Sequence, residues 1–134
     1  MTRPPIVAAI VTSNLGVLVA RRHDGKPLWT FIAGELEPGE DPTHAMVREV
    51  KEETGLQVRA TGVIGCRVHP HTGREMVYLA ACPIHGTTAV VGDEEELAEV
   101  RWVGLAQADG LMGGTIFEPV RGYLKKVLEA QDSR

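Results

Sequence analysis

GELEPGEDPTHAMVREVKEETGL, residues 34–56, runs from a loop rich in glycine and proline into a strongly charged segment. Asp41-Pro42 reads as a helix start, a side-chain cap followed by proline at the first helical position. Thr54-Gly55 reads as the stop, since glycine enters the left-handed conformation without a Cβ clash. The signals predict a helix from Pro42 to Thr54. At about 100° per residue from Met46, the residues Met46, Val47, Val50 and Thr54 form a stripe over roughly 0–100° that packs on a sheet. Glu53, Glu49 and Glu52 fall near about 340°, 300° and 240°, bordering that stripe, with Arg48 and Lys51 on the far side. Like charges at helical spacing cost roughly 0.2–0.5 kcal/mol per pair. A hard dication taking oxygen ligands relieves that repulsion, which points to Mg²⁺ or Mn²⁺. The bland alternative is a solvated acidic face steadied by pairs such as Arg48–Glu52. No calcium-loop spacing is present.

Outward from the helix, the chain reads mostly as strands. Ile6–Thr12 and Val17–Arg21 are joined by a turn at Asn14-Leu15-Gly16, and Trp29–Ile32 leads into the loop. Gln57–Val68 and Met76–Pro83 read as long strands around a turn at His71-Thr72-Gly73, with Glu99–Val103 following. Ala106–Leu111 reads as a short helix. Pro119–Ala130 places Val120, Tyr123, Leu124, Val127 and Leu128 at helical spacing. This order implies an α/β fold, a mixed sheet packed between helices, as one domain over residues 1–134.

The chain is long enough to bury a proper core. Its 14 basic and 18 acidic residues leave a net charge of −4, which argues against a broad nucleic-acid or anionic-membrane footprint. Cys66 and Cys82 match no zinc spacing and read as buried free thiols. The apolar N-terminal bursts are broken by Thr12, Ser13 and Asn14, too short to span a bilayer, and no signal-peptide pattern is convincing. A cytoplasmic protein is the expectation.

Gly34, Glu40 and the run Arg48-Glu49-Val50-Lys51-Glu52-Glu53-Thr54-Gly55-Leu56 resemble the Nudix box at every specified position, over 23 residues. The strand order resembles the Nudix fold over nearly the whole chain. The resemblance implies an α/β/α sandwich and hydrolysis of a nucleoside diphosphate linked to another moiety, with Mg²⁺ as cofactor and Mn²⁺ able to substitute. It makes Glu49 and Glu53 the principal metal ligands, Glu52 a member of the same cluster and the Ala33 carbonyl a further ligand. Gly34, Glu40 and Arg48 would orient and neutralise the carboxylates. The common Pro-Gly before the box glycine is Ile32-Ala33 here, a change that also resembles members acting on ADP-ribose. The resemblance admits a homodimer.

For the catalytic base, the matching loop is Asp93-Glu94-Glu95-Glu96. Glu96 is the first choice and Glu95 the alternative; if the loop is merely an acidic surface, Glu52 takes the role and joins Glu53 as a catalytic carboxylate. Outside the box, strand alternation puts Arg67 and His69 on one face with Arg74 brought near by the turn, where they could contact a nucleotide. Arg21, in Arg21-Arg22-His23, could meet phosphates, and Trp29 or Phe31 could stack on a base, though core packing suits both. The expected substrate is a small nucleotide, with a nucleoside triphosphate cleaved to monophosphate and pyrophosphate placed first. ADP-ribose or a nucleotide sugar comes second. A silent nucleotide sensor is the rival of another class.

Overall fold

The structure, a computed structural model, describes residues 3–132. Among these residues are six strands and three helices, in the order β1 (Ile6–Ser13), β2 (Gly16–Arg22), β3 (Trp29–Glu35), α1 (Pro42–Thr54), β4 (Val58–Val68), β5 (Glu75–Pro83), β6 (Leu97–Val103), α2 (Leu105–Leu111) and α3 (Glu118–Asp132). The sheet order is β4-β5-β1-β3-β2-β6, with a further β1–β2 pairing. β1 and β5 run parallel, and the other pairs are antiparallel. The mixed α/β sandwich expected from the sequence is the observed one.

β1 explains the layering. It is buried on both faces, so its apolar run is nearly continuous rather than alternating with polar residues. Val7, Ala9 and Val11 face Ala45, Met46 and Val50 of α1, whereas Ala8 and Ile10 join Val120, Leu124 and Leu128 of α3. Met46 is fully buried, and its truncation to alanine is expected to cost about 2–5 kcal/mol in a denaturation experiment.

α1 begins and ends as its sequence requires. The Asp41 side chain accepts a hydrogen bond from the His44 N–H at 2.9 Å. Gly55 sits at φ 75°, and its N–H donates to the Lys51 carbonyl at 2.9 Å. Thr54 is buried because its Oγ1 donates to the Val50 carbonyl at 2.7 Å.

One expectation needs correction. Cys66 is exposed and Cys82 only half-buried, although both are free. β4 is an edge strand with two register shifts, so an apolar sequence there does not guarantee cover. Trp102 lies at the margin of the α1-side core, its indole N–H donating to the Thr87 carbonyl at 2.8 Å. Among the described residues, no helix is long and apolar enough to cross a membrane.

Candidate metal and hydrolysis site

The site is built where β3 hands over to the loop that enters α1. Arg48, assigned by helical angle to the far side, reaches back into this corner. Its Nε and Nη2 donate to the two Glu40 carboxylate oxygens at 2.8 and 2.9 Å. Its Nη1 donates to Glu49 at 2.8 Å and to Glu52 at 3.4 Å, and Nη2 also reaches the Glu35 carbonyl at 3.3 Å. The forked pairing holds the Glu40 carboxyl down to about 2, chiefly through the Arg48 hydrogen bond. The same contacts raise Arg48, with Glu40 the main cause. One guanidinium thus ties Glu40 of the loop to Glu49 and Glu52 of α1.

Gly34 explains itself here. A methyl group on its α-carbon would overlap the Glu49 carboxyl group. The absent side chain is the space that lets Glu49 lie flat on β3.

Glu53 is the unusual member. It is 6% exposed, and its Oε2 is buried without a hydrogen-bond partner. Burial pushes its carboxyl up to about 9, helped by the charges of Glu49 and Glu96. Glu49 is also raised, first by burial, with Arg48 opposing. Each carboxyl weighs on the other, and their burial side by side disfavours holding two negative charges there. Glu52, one turn off, has a side chain 59% exposed.

Among the described residues no three acidic, histidine or cysteine side chains already converge as a finished metal cage. The residues nevertheless fit a divalent cation. An orphaned carboxylate oxygen beside a second carboxylate is a hard-oxygen donor set short of positive charge.

The acidic loop also reaches this corner. Glu96 is close enough to weigh on Glu53, and it lies 3.8 Å from Arg22 Nη2. Arg22 is held by two hydrogen bonds to Asp24, at 3.1 and 3.0 Å, which bring the Asp24 carboxyl down to about 2.

The other candidates sit apart, on the α3 side of the sheet or at its edge. Phe31 belongs to the α3-side core with Trp29, so neither presents an open ring. Arg67 Nε donates to the Tyr78 hydroxyl at 3.1 Å, and its guanidinium lies 4.4 Å from the centre of the Phe117 ring. His69 Nδ1 accepts the N–H groups of His71 and Thr72 at 3.1 and 3.3 Å, closing the hairpin turn. Burial and the Arg67 charge hold its imidazole below the usual range. Arg74 has a side chain 11% exposed that latches the Pro4 carbonyl at 2.6 Å and pairs with Glu35 at 3.3 Å. Arg21 pairs with Glu99 at 3.3 Å.

Sequence reasoning had not identified Arg22 as a partner of Glu96, nor Gly92, whose N–H donates to the Glu53 carbonyl at 2.8 Å. A glycine directly before an acidic run was the available signal. A separate open cavity of about 710 Å³, between the β1–β2 turn and helices α2 and α3, shares no residue with this corner.

Comparison with known proteins places relatives of one family beside this chain. The CTP pyrophosphohydrolase of Escherichia coli K12 is 33% identical over 88 residues, 61% of this chain and 64% of that one. An RNA pyrophosphohydrolase of Campylobacter jejuni subsp. doylei is 27% identical, with 92% of this chain and 86% of that one covered. The crystal structure of a NUDIX hydrolase from Nitrosomonas europaea superimposes with a TM-score of 0.78 at 22% identity, covering 94% of this chain and 72% of that one, which is a likeness of fold. A family model described as NUDIX domain matches residues 2–121, and the chain accordingly belongs to the Nudix family.

Proposed function

We propose that this chain is a metal-dependent pyrophosphohydrolase that cleaves a nucleoside triphosphate to the monophosphate and pyrophosphate. The observation that carries the reading is Glu49, held by the Arg48 clamp, together with buried Glu53, whose Oε2 has no hydrogen-bond partner. In it Glu49 and Glu53 would hold Mg²⁺, or Mn²⁺ in its place, with Glu52 and the Ala33 carbonyl as further candidate ligands. The cation supplies positive charge that neutralises the diphosphate and acidifies water.

The chain's own residues do the rest. Arg48 aims Glu49 and opposes the rise of its carboxyl, and Glu40 keeps Arg48 in place. Glu96 takes the proton from the attacking water, with Glu95 its neighbour in the alternative and Glu52 the fallback. Of the groups once offered to the nucleotide, Arg67, with its aromatic neighbours Tyr78 and Phe117, is the best suited to a base. Arg21, His69 and Arg74 reach a substrate only by leaving present partners, and Phe31 acts from the core.

The triphosphate comes first because the E. coli relative is named for CTP. The match spans 64% of that protein, so the transfer belongs to the proposal. ADP-ribose or a nucleotide sugar stands second, favoured by Ile32-Ala33 ahead of the box glycine. The reading includes a reducing cytoplasm, which the two free thiols suit.

Turnover of a nucleotide panel with Mg²⁺ or Mn²⁺ tests it. Release of pyrophosphate from a triphosphate supports the first substrate, and release of two monophosphates from ADP-ribose supports the second. Tight binding without turnover makes the chain a sensor instead. Glu96→Gln is expected to lower kcat by about 10²–10⁴-fold with metal affinity little changed. An unaffected rate moves the base to Glu52.

A further inference from the structure

The segment between β5 and β6 has no regular structure, yet it is fastened at fixed points. The Val90 N–H donates to the Thr54 carbonyl at 3.0 Å and the Gly92 N–H to the Glu53 carbonyl at 2.8 Å. Both acceptors belong to the last turn of α1, where carbonyls have no partner within the helix. Past Gly92, Asp93 folds the run into a turn: its Oδ1 accepts the Glu96 N–H at 3.3 Å and its carbonyl the Leu97 N–H at 2.9 Å. On the far side, the His23 N–H donates to the Glu96 carbonyl at 3.0 Å, and His23 Nε2 lies 3.0 Å from the Glu94 carbonyl.

The seat on α1 is tight. A methyl group at position 92 would overlap the Glu52 carbonyl oxygen and come within 3.2 Å of the Glu53 carbonyl carbon. These are backbone atoms of a helix end and cannot swing aside as a side chain can. Any residue larger than glycine must therefore lift the loop from α1.

We infer that Gly92 is a positioning residue, whose missing side chain lets the acidic loop rest on the last turn of α1 and so sets Glu96 against the Glu49–Glu53 pair. The inference rests on the hydrolase reading and on Glu96 as its base. Only three residues separate Gly92 from Glu96, and the turn between them transmits a shift at one to the other. A displacement of about 1 Å at a reacting group is worth up to about 10²-fold in rate.

The test compares wild type, Gly92→Ala and Gly62→Ala with Mg²⁺ and whichever nucleotide the wild type hydrolyses. Gly62 is the control, since a methyl group there meets nothing within 4 Å. Gly92→Ala should lower kcat by about 10–100-fold with KM nearly unchanged, and Gly62→Ala should match wild type. In a Glu96→Gln background, Gly92→Ala should cost nothing further, because the group it positions is gone. Hydrogen exchange should show the Val90 amide losing protection while β1 and β5 keep theirs. If Gly92→Ala does not fold, Val90→Pro removes the neighbouring donor and should show the same kcat loss. An unchanged kcat in a turning-over enzyme, or a full penalty in the Glu96→Gln background, overturns the inference alone. A wild type that hydrolyses no nucleotide overturns the hydrolase reading and the inference with it.

Discussion

Glu53→Gln should abolish practical turnover, lowering kcat by about 10³-fold or more, while leaving the metal-free protein at least as stable as wild type. The two effects have one cause. Glu53 is buried with an unpartnered oxygen and its carboxyl is pushed up to about 9, first by burial and then by the Glu49 and Glu96 charges. The folded protein therefore keeps a proton there that the unfolded chain releases near about pH 4.3. Stability supported by that proton is complete below the unfolded value and drains away as pH rises to about 9. The metal-free wild type should accordingly lose thermal stability between about pH 5 and 9, by roughly 5 °C or more in Tm. The glutamine variant carries no charge to bury, so this part of the pH dependence should vanish. Added Mg²⁺ should restore stability to wild type at pH 8–9 and do little for the variant, because cation binding replaces the proton. Thermal melts over pH, with and without Mg²⁺, check all of this. A pH dependence shared by both proteins would contradict the assignment.

Gly34→Ala should separate activity from stability in another way. The added methyl meets the far end of the Glu49 side chain, not backbone. The side chain can swing away, so Tm should fall by only a few degrees. Swinging breaks the 2.8 Å contact to Arg48 and moves Glu49 away from Glu53. Metal affinity and kcat should then drop together, kcat by about 10²-fold. Mn²⁺ titration beside steady-state kinetics measures both. A variant with unchanged metal affinity would mean that Glu49 is not a ligand.

How much of this was legible in the sequence varied with how local the determinant was. α1 was readable from Pro42 to Thr54 because Asp41-Pro42 and Gly55 are local signals whose physics needs no partner. The carboxylate face was readable for the same reason, as an angular argument along one helix. Arg48 defeated that argument, because a long side chain reaches a quarter turn beyond its own Cα direction. The parallel pairing of β1 with β5 depends on two segments 70 residues apart, and alternation gives a strand its face but not its neighbour. Arg74 and His69 looked like open groups until their partners, the Pro4 carbonyl and the turn amides, were in place. Gly92 shows in the sequence only as a glycine before an acidic run, with no sign of what it touches. Its constraint is the nearness of a helix end 40 residues earlier in the chain.

The most direct test is a crystal structure with Mg²⁺ and a slowly hydrolysed nucleotide. The expected result is an ion bound by both Glu49 and Glu53, with the diphosphate against it and Glu96 facing the same cluster. An ion bound elsewhere, with the Glu53 carboxyl touching none, would contradict the metal assignment.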